Sequence, residues 1–172
     1  MPFKSVDAIL KPDARFADVC VVEQGMARPM TIADHHAVLA GIGLAGTAPE
    51  EVRAAFDRAR NTMIYAFFDY DLLVVGEVQA LGAFEFALKH RLNGHGGASR
   101  GTLRNLVDRA RKTGVLLALA PSVNTLCDPI EPLIALRNGL SHGTADIHSP
   151  AMALEIAEAC AFWIDHLFPP AP

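Results

Sequence analysis

The sequence predicts an all-α protein: a single-domain bundle of about five helices behind a short irregular or hairpin N-terminal arm. Three observations carry that expectation. Apolar residues recur at helical spacing over long stretches between residues 50 and 168. Helix-start signatures precede those stretches, and Gly- or Pro-rich breaks separate them. The length is 172 residues, half apolar and a fifth charged, which suits one domain around one core.

Residues 1–31 show no helical period and form the expected arm. Within it, 19–23 reads as a short strand that Gln24-Gly25 can turn toward 28–31 as a hairpin. The arm covers the bundle or joins a dimer. The bundle itself is expected over 32–168. A first helix over 32–44 starts at Thr31 or Ala33-Asp34 and weakens at Gly41, Gly43 and Gly46. Thr47 and Glu50 have the spacing of a capping box. Val52, Phe56, Ala59, Met63, Ala66 and Phe67 follow at helical spacing. The pattern runs on to Leu92, too long for one ordinary helix, and Asp69-Tyr70-Asp71 is the expected break. A full break there, instead of a kink, makes the count six and not five. Beyond it, Val75, Val78, Leu81, Ala83, Phe86 and Leu88, or their neighbours, are expected to be buried. Gly76 and Gly82 cost about 1 kcal/mol each relative to Ala, which close helix approach usually offsets.

A Gly-rich loop, 93–101, comes next. Thr102 caps a helix whose apolar face is Leu103, Leu106, Val107 and Ala110, and Gly114 ends it. After a connector at 121–126, Asp128-Pro129-Ile130-Glu131 is a helix start with an Asp cap and Pro at the first position. Leu133, Ile134, Leu136 and Leu140 turn inward, and Gly143 is the expected C-terminal cap. Ser149-Pro150 opens the last helix, with a buried stripe of Ala153, Ile156, Ala157, Cys160, Trp163, Ile164 and Leu167. The proline-rich residues 169–172 are expected to be a disordered tail. No internal repeat and no second domain is evident.

Composition narrows the function classes. The scattered Cys20, Cys127 and Cys160 form no CxxC pair, so neither a zinc knuckle nor a disulfide framework is indicated, and a cytoplasmic location is expected. The N-terminus lacks the apolar run of a signal peptide. The apolar stretches at 72–88 and 151–168 carry several carboxylates and read as bundle helices, with no membrane contact. Net charge is −4 at pH 7, yet Lys89, Arg91, Arg100, Arg104, Arg109, Arg111 and Lys112 crowd one segment against a lone Asp108. Such a patch can attract a polyanion locally, since screening limits reach to about 10 Å. As a bland alternative, it is a solvated helix face.

The densest chemistry lies in Arg137-Asn138-Gly139-Leu140-Ser141-His142. Arg is permanently charged and forks onto phosphate oxygens. His transfers protons near neutral pH, and the Asn amide can orient either group. Arg137 and His142 are separated by about 140° around an ideal helix. One helix therefore does not aim both at one atom, whereas Asn138 and His142 share a face. A purely structural alternative has the Arg-Asn pair bonding loop carbonyls and His142 capping its helix.

Arg137, Asn138 and His142 followed by Gly143, in a C-terminal helix of a small helical chain, resemble the HEPN superfamily and its Arg-x4–6-His motif. Within it the motif is most similar to that of HepT-like ribonucleases, with Thr144 where their Tyr stands, so modification of that Tyr is not carried over. The resemblance implies a metal-independent endoribonuclease needing no cofactor, with Arg137, Asn138 and His142 catalytic at a composite homodimer site. It further implies a toxin or antiviral role with an antitoxin or regulatory partner. RNA is the implied substrate, contacted by Lys89, Arg91, Arg100 and Arg104. Some members of that superfamily are non-catalytic, so the alternative expectation is a helical module that binds nucleotide, RNA or a protein partner.

Three further features stand apart. Asp34-His35-His36 looks like a metal cluster, but adjacent helical residues diverge by about 100°, so no metal site is expected. His95 sits in a Gly-rich loop that lacks the P-loop pattern. Glu77 and Glu85 lie nearly on one face of an apolar helix and need partners, with Arg60 and Arg137 as candidates. Arg60-Asn61 repeats the Arg-Asn pair without a His and fits such a network better than a second site.

Overall fold

The computed structural model describes residues 3–93, 101–117, 128–142 and 147–170. His95, Arg100, Cys127, Gly143, Thr144 and the connector at 121–126 lie outside them. Among the described residues are six α-helices and one two-stranded antiparallel sheet. The protein is predominantly helical, as expected. The sixth helix comes from the break in the long pattern: Glu50–Tyr65 and Leu72–Asn93 are separate, joined through Asp69-Tyr70-Asp71.

The arm begins with single 3₁₀ turns at Val6–Ala8 and Ala14–Phe16. Strands β1 (Cys20–Glu23) and β2 (Met26–Pro29) then form the hairpin, in register from Cys20 opposite Pro29 to Glu23 opposite Met26. Gln24 and Gly25 both have positive φ, 50° and 80°, as the tightest hairpin turns require. The arm is pinned to the bundle. Phe16 is buried against His35, Phe67 and Tyr70. Asp13 receives hydrogen bonds from Arg15 and from the Tyr70 backbone N–H, and Arg15 lies 4.4 Å above the Tyr70 ring.

Helix α1 (Ile32–Gly41) opens with a reciprocal capping box between Thr31 and Asp34. It ends three residues earlier than the expected 44. The expected Thr47 capping box does not form. The Thr47 hydroxyl donates to the Pro169 carbonyl, so α2 (Glu50–Tyr65) starts after Pro49 without a side-chain cap. Thr47 instead ties the chain end to the bundle, with its backbone N–H bonded to Phe168 O at 2.8 Å.

Helices α2 and α3 (Leu72–Asn93) pack antiparallel, the most extensive contact in the fold. Gly76 lets them close: a Cβ there would lie 2.4 Å from Met63 Cγ. The opposite side of α3 corrects the expected burial. Val75 and Val78 are 44% and 42% exposed, while Gly76, Glu77, Ala80 and Leu81 face inward. Gly82 has open space around it, so no close approach explains that glycine.

Helix α4 (Leu103–Lys112) is capped by Thr102 and buries the predicted Leu103, Leu106, Val107 and Ala110. Helix α5 (Glu131–Ser141) starts later than expected, without a side-chain cap. Asp128 folds the preceding turn instead, accepting from Ile130 N at 3.0 Å and from Arg111. Helix α6 (Pro150–Leu167) is capped by Ser149 and lies along α3. Its buried face includes Ala153, Ala157, Cys160 and Ile164, with Ile156 and Trp163 half-buried. No helix among the described residues is long and apolar enough to cross a membrane.

Candidate functional site

The motif occupies the second half of α5 and the residue beyond it. Leu133 and Ile134 bury the first half of that helix, which fixes the rotation of the rest. Asn138 and His142 are consequently exposed, and Arg137 is half-buried toward α3. His142 follows the last helical residue, its backbone N–H bonded to Gly139 O at 3.2 Å. The divergence expected from helical geometry is therefore present within one chain.

Arg137 is held on α3. Its Nε and one terminal nitrogen donate to the same Glu85 oxygen at 3.2 and 3.1 Å. The other terminal nitrogen donates to Ser141 Oγ at 2.8 Å, and Ser141 donates back to the Arg137 carbonyl at 2.6 Å. The second Glu85 oxygen accepts from Lys89 Nζ at 2.7 Å. One carboxylate thus gathers two cations, Lys89 from the end of α3 and Arg137 from α5. A guanidinium carries five N–H donors. Among the described residues three are engaged, leaving two for an incoming acceptor.

The basic segment is more committed than its sequence suggests. Arg104 forms a two-pronged ion pair with Glu131, joining α4 to α5 and holding the Glu131 carboxyl below its ordinary range. Arg111 pairs with buried Asp128. Arg109 donates to Leu92 O and Asn93 Oδ1. Arg91 is exposed at the end of α3. Of the four expected RNA contacts, then, Lys89 and Arg104 sit on carboxylates, Arg91 faces solvent and Arg100 lies outside the described residues.

Glu77 does not meet Arg60. Its partner is His148, whose Nδ1 lies against Glu77 Oε2, and both side chains are buried. Burial pushes the Glu77 carboxyl above its ordinary range, against the opposing hydrogen bond and charge of His148. Glu77 Oε1 has no partner among the described residues. Nothing in the local sequence marks His148, since its partner lies 71 positions away. Arg60 bonds Asp57 and the Leu39 and Ala40 carbonyls at the end of α1, a structural role, but with neither of the buried carboxylates it was expected to meet. His35 is buried and donates to Met63 O at 2.8 Å, while His36 is exposed. The adjacent histidines therefore diverge. Burial pushes the His35 imidazole below its ordinary range, despite the Met63 hydrogen bond, and keeps it neutral.

Set against protein-family profiles, curated proteins and solved structures, the chain matches none.

Proposed function

We propose that this chain is a metal-independent endoribonuclease of HEPN type, cleaving RNA at a composite site formed by two copies. The observation that supports it best is the shared carboxylate. Glu85 sets Lys89 and Arg137 side by side, next to the helical turn that carries exposed Asn138 and His142. Two cations on one carboxylate leave a net positive spot for a phosphate. The spare Arg137 donors are what a forming phosphorane needs.

In this reading the 2′-hydroxyl attacks the adjacent phosphorus and the bond to the 5′-oxygen breaks. His142 removes the hydroxyl proton or supplies one to the leaving oxygen. Arg137 stabilises charge on the non-bridging oxygens, and Asn138 holds a phosphate or the imidazole. The product ends carry a 2′,3′-cyclic phosphate and a 5′-hydroxyl. A two-fold pairing of α5 ends brings the diverging Arg137 and His142 into one cleft, which motivates the homodimer. A toxin or antiviral role, with an antitoxin partner, belongs to the same proposal.

One observation favours a second reading, a non-catalytic helical module that binds nucleotide, RNA or a protein partner. Arg137 is anchored on Glu85 and Ser141, as a structural arginine would be. The deciding experiment is cleavage of a mixed RNA pool with EDTA present, by the protein and by His142→Ala. Loss of cleavage in the variant with an unchanged melting curve supports the enzyme. RNA retention without cleavage by either protein supports the binding module.

A further inference from the structure

A cavity of about 310 Å³ opens between the end of α4, the start of α5 and the outer face of α6. That size is at the lower end for small-ligand sites. Leu116 and Ile130, each 2% exposed, form its floor. Its open side carries an aromatic cluster. Phe162 and Trp163 centroids are 5.1 Å apart, edge to face, and Trp163 and His166 are 5.5 Å apart. Phe162 is 62% exposed, an apolar ring left facing water. Its polar wall is Arg111 with Asp128.

The charge pattern narrows the ligand. Asp128 already compensates Arg111, so the wall is close to neutral and does not favour an anion. Asp128 takes one terminal guanidinium nitrogen; the Arg111 Nε–H is buried out of reach of solvent, and the other terminal nitrogen carries no hydrogen bond among the described residues. Donor capacity therefore remains without surplus charge. Rings, an apolar floor and spare N–H donors fit a planar, uncharged heterocycle bearing carbonyl or ring-nitrogen acceptors.

We infer that this cavity is a nucleobase-binding pocket, in which an unpaired base stacks on the Phe162–Trp163–His166 cluster and accepts a hydrogen bond from Arg111. Aromatic side chains hold bases this way in single-stranded recognition. The inference deepens the ribonuclease reading by naming single-stranded RNA as the substrate class. The pocket lies at the opposite end of α5 from the motif, about 10 Å from Arg137 and about 18 Å from His142 along the helix. It is a subsite for a flanking nucleotide, apart from the scissile bond.

Trp163 is the sole tryptophan of the chain, so its fluorescence reports the pocket directly. The protein is titrated with adenosine, with a 2′-O-methyl oligoadenylate that cannot be cleaved, and with benzoate. Saturable quenching by adenosine, tighter binding of the oligonucleotide and no response to benzoate are expected. Phe162→Ala weakens both nucleobase ligands about tenfold, the scale of one lost stacking ring. Its circular dichroism stays unchanged. Adenosine binding without any gain for the oligonucleotide assigns the pocket to free nucleosides instead of RNA. Quenching by benzoate alone, or by none of the probes, overturns the proposal. His142→Ala retains adenosine binding, so failure of the cleavage reading and failure of the pocket are separate results.

Discussion

Two glycines of α3 should respond in opposite directions to the same substitution. Gly76 faces α2, and an added Cβ would fall 2.4 Å from Met63 Cγ and 3.3 Å from the Ala59 carbonyl. Neither neighbour can yield. Met63 is 1% exposed, its Cγ sits close to its own backbone, and the carbonyl belongs to a helix. Overpacking of this kind costs about 1–3 kcal/mol. The better helix propensity of Ala returns about 1 kcal/mol. With the overlap this deep, Gly76→Ala should lose about 1–2 kcal/mol net, taking the upper part of that overpacking range. Gly82 has nothing within 4 Å of its added Cβ, so Gly82→Ala should gain close to the full 1 kcal/mol of propensity.

Urea and thermal unfolding followed by far-UV circular dichroism measure both. The two variants should differ by roughly 4–12 °C in Tm, at about 2–4 °C per kcal/mol for a domain of this size. Equal stability of the two would mean that α2 and α3 do not meet at Gly76. Destabilisation by Gly82→Ala would mean that the open face around it is covered in solution, and a concentration-dependent Tm would identify a second copy as the cover.

Three other outcomes are expected. Asp13 is desolvated, which alone would raise its pKa, but hydrogen bonds from Arg15 and the Tyr70 N–H outweigh burial and bring it to about 2. A carboxyl lowered on folding contributes stability above its unfolded pKa and loses it as pH falls toward 2. Asp13→Asn should therefore cost about 2 kcal/mol at pH 7 and flatten the unfolding profile between about pH 4 and 2. His148→Ala leaves Glu77 buried without its partner, where burial favours the neutral carboxyl, and should cost about 1–3 kcal/mol, the scale of an unpaired buried polar group, whereas Glu77→Leu with His148→Leu should be near neutral, as a double-mutant cycle would show. His35 is held neutral by burial, so its contribution is present above about pH 6.5 and declines below it; His35→Gln should remove that slope from urea midpoints measured across the range.

Much of the fold was legible because it depends on local order. The 3.6-residue period, the Thr102 and Ser149 caps and the Gln24-Gly25 turn each act over a few residues, and each formed as expected. Where expectation failed, a distant group had taken over a local signal. Thr47 has capping-box spacing, but its hydroxyl reaches Pro169, 122 positions away. Asp128 reads as a cap, but Arg111 and the Ile130 N–H claim its carboxylate one turn early. Val75 and Val78 depart from the expected inward face of α3 because that helix is apolar nearly all round, and periodicity carries little information there. The pairing of Glu85 with Arg137 was among the expected possibilities, since a buried carboxylate on an apolar helix requires a cation. His148 was invisible, because a lone histidine before a helix cap carries no local sign of a partner on another helix.

Glu85 is where the structural and catalytic readings of the motif separate. Glu85→Gln keeps the shape of the side chain and removes the charge that Lys89 and Arg137 share. The pair is partly buried, with the Glu85 side chain 10% and the Arg137 side chain 33% exposed, so the loss should fall between surface and buried values, about 1–2 kcal/mol. Both readings require that loss. They differ in what RNA does. If Glu85 positions a catalytic arginine, removing its charge strengthens RNA binding, because two cations face the phosphates without a competing anion. It also slows single-turnover cleavage, because the guanidinium is no longer fixed at the reacting phosphate. Binding and rate then move in opposite directions, a split that general destabilisation does not produce. If Glu85 only ties α3 to α5, stability falls while RNA affinity and its salt dependence stay where they were. That result would return Arg137 to the core of the bundle and leave His142 without its partner.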